Sequence, residues 1–289
     1  QNPTVEIKNE EKRRIKESEQ LRCDILNNEL YHLFRLLVGD PVTYHEQEGC
    51  DTAEKTRNEE INQLINSIKE KELKKWFEKL NKIADQHTII EEWKFNIFKG
   101  FLRKLSETKS EIAGGFLKIA FENNSSLKYF TESFLYGFRT GGHFSYWDMY
   151  VHKIIDNKDI QSINGVIFSL NLPTDMDLKK LIRDSDIKLL ENITKKKGSF
   201  SFLKKVDDRT FHYALISILL RIFRRSPAKI EPLISYEIKN NPKHLNIFFM
   251  EMVMAIHKKW INIEDFRPET IKLLKEKMIE LSDIDWHTQ

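Results

Sequence analysis

Two stretches of the chain share one layout 34 positions apart, and that repetition constrains the fold more than any other feature. In "RTFHYALISILLRIFRRSPAKIEPLISYEIKNN", Phe211 opens a strongly apolar segment; basic residues follow, and a short turn leads into a more amphipathic segment. In "PKHLNIFFMEMVMAIHKKWINIEDFRPETIKLLKEKMIE", Leu245 opens the same succession. Each segment is of helix length. Paired helices recurring every roughly 35 to 45 residues mark a helical array, since one pair alone cannot bury its apolar face. An upstream pair, "SSLKYFTESFLYGF" and "HFSYWDMYVHKII", follows the plan less regularly.

The rest of the chain suits helix and disfavours sheet. There are 10 glycines and 7 prolines in 289 residues, and no alternating Val/Thr-rich run lies between turn residues. "INGVIFSLNL" (Ile163 to Leu172) is the best strand candidate, but its apolar positions also suit a buried helix, which we take it to be. A first helix is predicted from Val5 to Val38. Its early half is nearly all charge, and its later half carries a stripe of Leu26, Leu30, Leu33, Phe34 and Leu37. Gly39 and Pro41 stop it. The expected architecture is all-α. An N-terminal helical region covers 1–109, with a long first helix and a polar linker over 39–57, and a helical repeat array covers 110–289.

In its helix pairing and period, the segment from Ser110 to Leu281 resembles the HEAT/armadillo class of α-solenoids. The resemblance rests on those two features and not on a signature string. It implies a HEAT-like array whose concave face and basic segment bind another macromolecule. Similar solenoids form the target-sensing regions of large bacterial defence NTPases. A chain that starts at Gln1 and not at Met is consistent with a piece of such a protein.

Charge and motifs narrow the function classes. Net charge is +3, so the total demands neither nucleic acid nor membrane. Two cysteines, Cys23 and Cys50, cannot build a disulfide framework. No uncharged apolar run reaches the roughly 18 residues that span a bilayer. A cytoplasmic protein without a membrane partner is expected. No H-E-x-x-H, C-x-x-C, G-x-S-x-G or phosphate-cradling glycine motif occurs, so neither cofactor nor catalysis is predicted. "HEQEGC" offers His45, Glu46, Glu48 and Cys50, which fall short of a tetrahedral zinc set.

The most informative local feature is a basic segment. Between 195 and 229 stand Lys195, Lys196, Lys197, Lys204, Lys205, Arg209, Arg221, Arg224, Arg225 and Lys229, opposed only by Asp207 and Asp208. By spacing, Arg221, Arg224 and Arg225 share one helix face beside Ile218, Leu219 and Ile222. Such a cluster is either a solvated face near helix C-termini or a docking patch for an acidic protein surface or phosphates. A protein partner is the expected ligand. The alternative is a nucleic-acid-binding helical repeat that uses segment 195–229.

A third reading, an enzyme with a site near 141–152, rests on "FRTGGHFSYWDMYVHK" and its His143, Asp148 and His152. The same stretch has a structural explanation. Gly141 and Gly142 end a helix. Ser145 and Asp148 have capping-box spacing, and Trp147, Val151, Ile154 and Ile155 form one face. His143 and Tyr146, at the lip of the turn, are then candidate partner contacts. Gly114, Gly115 and Gly137 sit inside apparent helices, where close helix approach would explain them.

Overall fold

The computed structural model describes residues 13–21, 27–39, 50–170, 182–205 and 209–282; at positions 50, 51, 160, 161, 204, 205, 225 and 282 only the backbone is described. All regular structure among these residues is helical. They fall into two compact units. One holds the residues up to Leu102 together with Lys118–Leu127, and the other holds Arg103–Leu117 together with the residues from Lys128 onward.

The first unit contains helical residues 13–21, α1 (Glu29–Leu37), α2 (Cys50–Ser67) and α3 (Leu73–Ala84). The helix expected to run to Val38 starts afresh at Glu29. Asn28 is extended, and its side-chain oxygen accepts from the amides of Leu30 at 2.9 Å and Tyr31 at 3.2 Å. An asparagine that satisfies the first-turn amides favours a new start over continuation. The stop is as predicted: Val38 is extended and Gly39 has a φ of 96°. The polar linker is shorter than expected, because residues 50–57 already belong to α2. Arg57 shows why that turn is held. Its buried guanidinium donates to the carbonyls of Arg35, Leu36, Val38 and Gly39, which the end of α1 leaves without helical partners. His45, Glu46 and Glu48 lie outside the described residues.

Helices α4 (Asn96–Thr108) and α5 (Ser110–Glu122) contribute residues to both units. In the second unit follow α6 (Thr131–Thr140), α7 (Phe144–Asp156), α8 (Ile160–Leu170), α9 (Asp184–Thr194), α10 (Arg209–Ile222), α11 (Pro227–Asn240), α12 (Leu245–His257) and α13 (Pro268–Ser282). Residues 163–170 of the strand candidate belong to helix α8, with Ile163, Val166, Ile167 and Leu170 buried; Asn171 and Leu172 lie outside the described residues. Two rows run through this unit. Helix α6 packs on α8, α8 on α10 and α10 on α12, while α9 packs on α11 and α11 on α13. A row helix with neighbours on both sides must be apolar all round. Helix α10 is: between Phe211 and Ile222 only Tyr213 is exposed.

Helix ends repeat one device. Asn124, Gly142, Lys158, Lys196 and Lys259 all have positive φ, between 47° and 74°. The next amide closes the helix in each case: Ser125 to Ala120, His143 to Phe138, Asp159 to Ile154, Lys197 to Asn192 and Trp260 to Ala255. This is the Schellman arrangement, with lysine three times where glycine is usual. Inside the helices, Gly137 of α6 marks a close approach to α4. A methyl group there would collide with the carbonyl oxygen of Arg103 and lie 2.7 Å from the β-carbon of Ser106.

Candidate interaction surface

The stretch from Phe138 to Lys153 is an internal junction. His143, and not Ser145, is the N-cap residue of α7, and its side chain caps nothing. Its Nε2 instead lies 2.9 Å from the carbonyl oxygen of Glu107. With the helix starting early, Ser145 sits in the first turn and the expected box with Asp148 does not form. Asp148 faces Arg183, which donates to its two oxygens at 2.8 and 2.7 Å. Arg183 also donates to Asp186 at 2.8 Å, and Asp186 accepts from Arg139 at 2.9 Å with both side chains fully buried. Both guanidinium groups lie over the rings of Phe144 and Trp147. Burial opposes the charge on Asp186. The bonds from Arg183 and Arg139 outweigh it and hold the carboxyl below its usual range.

His143 and Tyr146 are therefore not at an open lip. Both are half-buried, and the Tyr146 ring stacks on Phe138 at 5.4 Å and fills the space over Gly114. Trp147, Val151, Ile154 and Ile155 form the buried face that their spacing implies.

Inward packing divides the basic segment. Helix α10 ends at Ile222 and a 3-10 turn carries Phe223–Arg225, so Arg221 and Arg224 do not share a solvent face. Arg221 is buried with its guanidinium 5.1 Å from the centre of the Trp260 ring, while Arg224 faces Asp265 at 3.8 Å. Lys195 pairs with Glu191 at 2.7 Å and Lys229 with Asp184 at 3.2 Å. Lys196 supplies the positive-φ end of α9. Lys197 and Arg209 are exposed. The side chains of Lys204, Lys205 and Arg225 lie outside the described residues.

A feature the sequence hides stands on α12. Leu245, Ile247, Phe248, Met252 and Ala255 are buried, while Met250, Val253 and Met254 are 51%, 62% and 42% exposed with Phe249 half-buried beside them. Near-continuous apolarity in "FFMEMVMAI" gives no hint of which side stays open. The one acid of α12, Glu251, is buried against Tyr213; burial and that carboxylate raise the Tyr213 phenol. Exposed Lys243 precedes the helix, and exposed Lys258 and Lys259 follow it.

Two other groupings stand out. His212 is buried with Nδ1 3.3 Å from Glu237 and its ring stacked on His244 at 4.2 Å. In the first unit, Leu33, Leu36, Leu64 and Trp76 line a cavity of about 520 Å³ rimmed by Glu29 and Glu60. Among the described residues no group of acidic, His or Cys side chains could hold a metal, and no helix is long and apolar enough to cross a membrane. Compared with protein-family models, curated proteins and solved structures, the chain matches none.

Proposed function

We propose that this chain is a macromolecular recognition module, a HEAT-like helical repeat that binds a protein partner over the surface of its stacked helices. The observation that carries this reading is an apolar stripe on α12 that no described element covers. An exposed patch of that kind, set between polar residues, is the usual mark of an interaction site. The row packing supports a repeat, because the row helices pack chiefly on their row neighbours. Of the basic residues, Arg221 is buried, and Lys195, Arg224 and Lys229 each face a carboxylate. That favours protein over a phosphate backbone, which rewards an uninterrupted set of cations.

Photo-crosslinking in cells tests the reading. Benzophenone side chains are placed at Met250, Tyr213 and Lys197, with exposed Glu70 as the control position. The expected result is a defined polypeptide adduct from at least one of the first three positions and none from Glu70. Adducts that nuclease removes, or none at any of the three, would overturn it.

A further inference from the structure

We infer that α12 is the seat of an amphipathic helix with acidic flanks, laid along Met250, Val253 and Met254; this rests on the recognition reading above. The row supplies the first argument. Helices α8 and α10 are each covered on both sides by a row helix, whereas α12 has a single row neighbour, α10, among the described elements. All three are built for burial, yet only α12 leaves three large apolar side chains open. The surface that covers α10 in this row is a helix, so a helix fits the equivalent side of α12.

Side-chain geometry agrees. Positions 250, 253 and 254, with Phe249 beside them, follow the i, i+3, i+4 pattern of a ridge that beds into the groove of a partner helix. Two of the three are methionines, unbranched and polarizable, which repack readily against a helix that is not part of the chain's own core.

Charge selects the partner. Lys243 stands at the start of α12, and Lys258 and Lys259 at its end, all exposed. Exposed Arg209 begins α10, whose first turn adjoins the start of α12 through the His212–His244 stack. The only acid on α12 is buried. Helix α13 adds no opposing field: its three glutamates meet three lysines, with Lys272 facing Glu276 and Lys277 facing Glu280. A second copy of α12 laid on this face, parallel or antiparallel, would set lysines against lysines. A helix with glutamate or aspartate at both ends meets them with the opposite sign.

The test uses the full chain and a labelled, stapled peptide of about five helical turns. Leucines lie along one of its faces and glutamates at both ends; a second peptide has lysines in their place. By fluorescence anisotropy the acidic peptide should bind, and the lysine peptide should bind roughly ten-fold or more weakly. Val253→Glu should weaken the acidic peptide by a similar factor. The position is exposed, so the thermal midpoint of the variant should stay at the parent value. Equal affinity for the two peptides, no binding of either, or binding that ignores Val253→Glu would overturn the assignment. Crosslinks from Tyr213 or Lys197 would still stand for recognition elsewhere on the surface. Light scattering should show a monomer. A dimer that Val253→Glu disperses would give the face to a second copy and overturn the acidic-helix proposal.

Discussion

Asp186 has no exposed surface, yet two arginines converge on it, and one of them, Arg139, is as deeply buried. Replacing Asp186 with Asn keeps the shape and removes the charge, which leaves the Arg139 cation facing a neutral group in a dry site. Breaking a buried pair in this way costs about 3–5 kcal/mol. The pH dependence has a definite sign. The folded carboxyl is held below its usual range, so its stabilisation is complete above the unfolded value near about 3.9. It is lost as pH falls through the folded value. Urea titrations across acid pH should therefore show the parent losing stability more steeply than Asp186→Asn, the two curves converging at the acid end. A parallel loss in both would show that the carboxylate carries no such charge.

At the same scale, Lys158, Lys196 and Lys259 hold φ values of 53°, 49° and 57°. Left-handed backbone costs a side-chain-bearing residue about 1–2 kcal/mol, and glycine returns part of that through its freer unfolded chain. Glycine at each position should raise stability by about 0.5–1 kcal/mol, measured as the shift in denaturant midpoint at constant slope. The reverse change at Gly142, whose φ is 74°, should lower it. A loss at all three lysine positions would mean that their side chains, and not their backbone, hold those helix ends.

Elements were legible to different degrees. Where apolar period and turn residues agree, as over 211–222 and 245–257, the helices fall where the pattern puts them. Helix starts elsewhere do not, since a cap is decided by one side chain's choice of amide. Asn28 takes two and opens a helix, whereas Ser145 is overtaken by a start at Phe144. The partners of Asp148 and Arg139 lie 35 and 47 positions away. No local spacing reveals them. The basic segment shows the same limit: its charge could be counted, but burial of Arg221 depends on α10 being enclosed. Close approach at an interior glycine was the more readable feature, and Gly137→Ala tests it. The neighbour is the Arg103 backbone, which cannot rotate aside, so the cost should reach about 3 kcal/mol, the upper end for overpacking. The denaturant midpoint should fall while the far-ultraviolet dichroism of the folded state keeps its helical form. A midpoint within experimental error of the parent would mean that α4 and α6 stand further apart.

For the molecule as a whole, the row arrangement of the second unit has a thermodynamic consequence. When row helices pack chiefly on their row neighbours, stability is close to a sum of helix terms and nearest-neighbour interfaces. Helices α8 and α10 each have two row interfaces, while α12 has one among the described elements. Opening α12 with its paired α13 therefore breaks one interface in each row, whereas opening α10 with its paired α11 breaks two in each. Native-state hydrogen exchange should show a gradient. Amides of α10, enclosed on nearly every side, should exchange only through the largest openings, and those of α12 and α13 through smaller ones. A bound acidic helix supplies α12 with its missing neighbour, so it should slow exchange in α12 and α13 most and in α8 least. Uniform exchange from α8 to α13, with or without the peptide, would make this unit one cooperative block, and a ligand on α12 would then stabilise every helix in it equally.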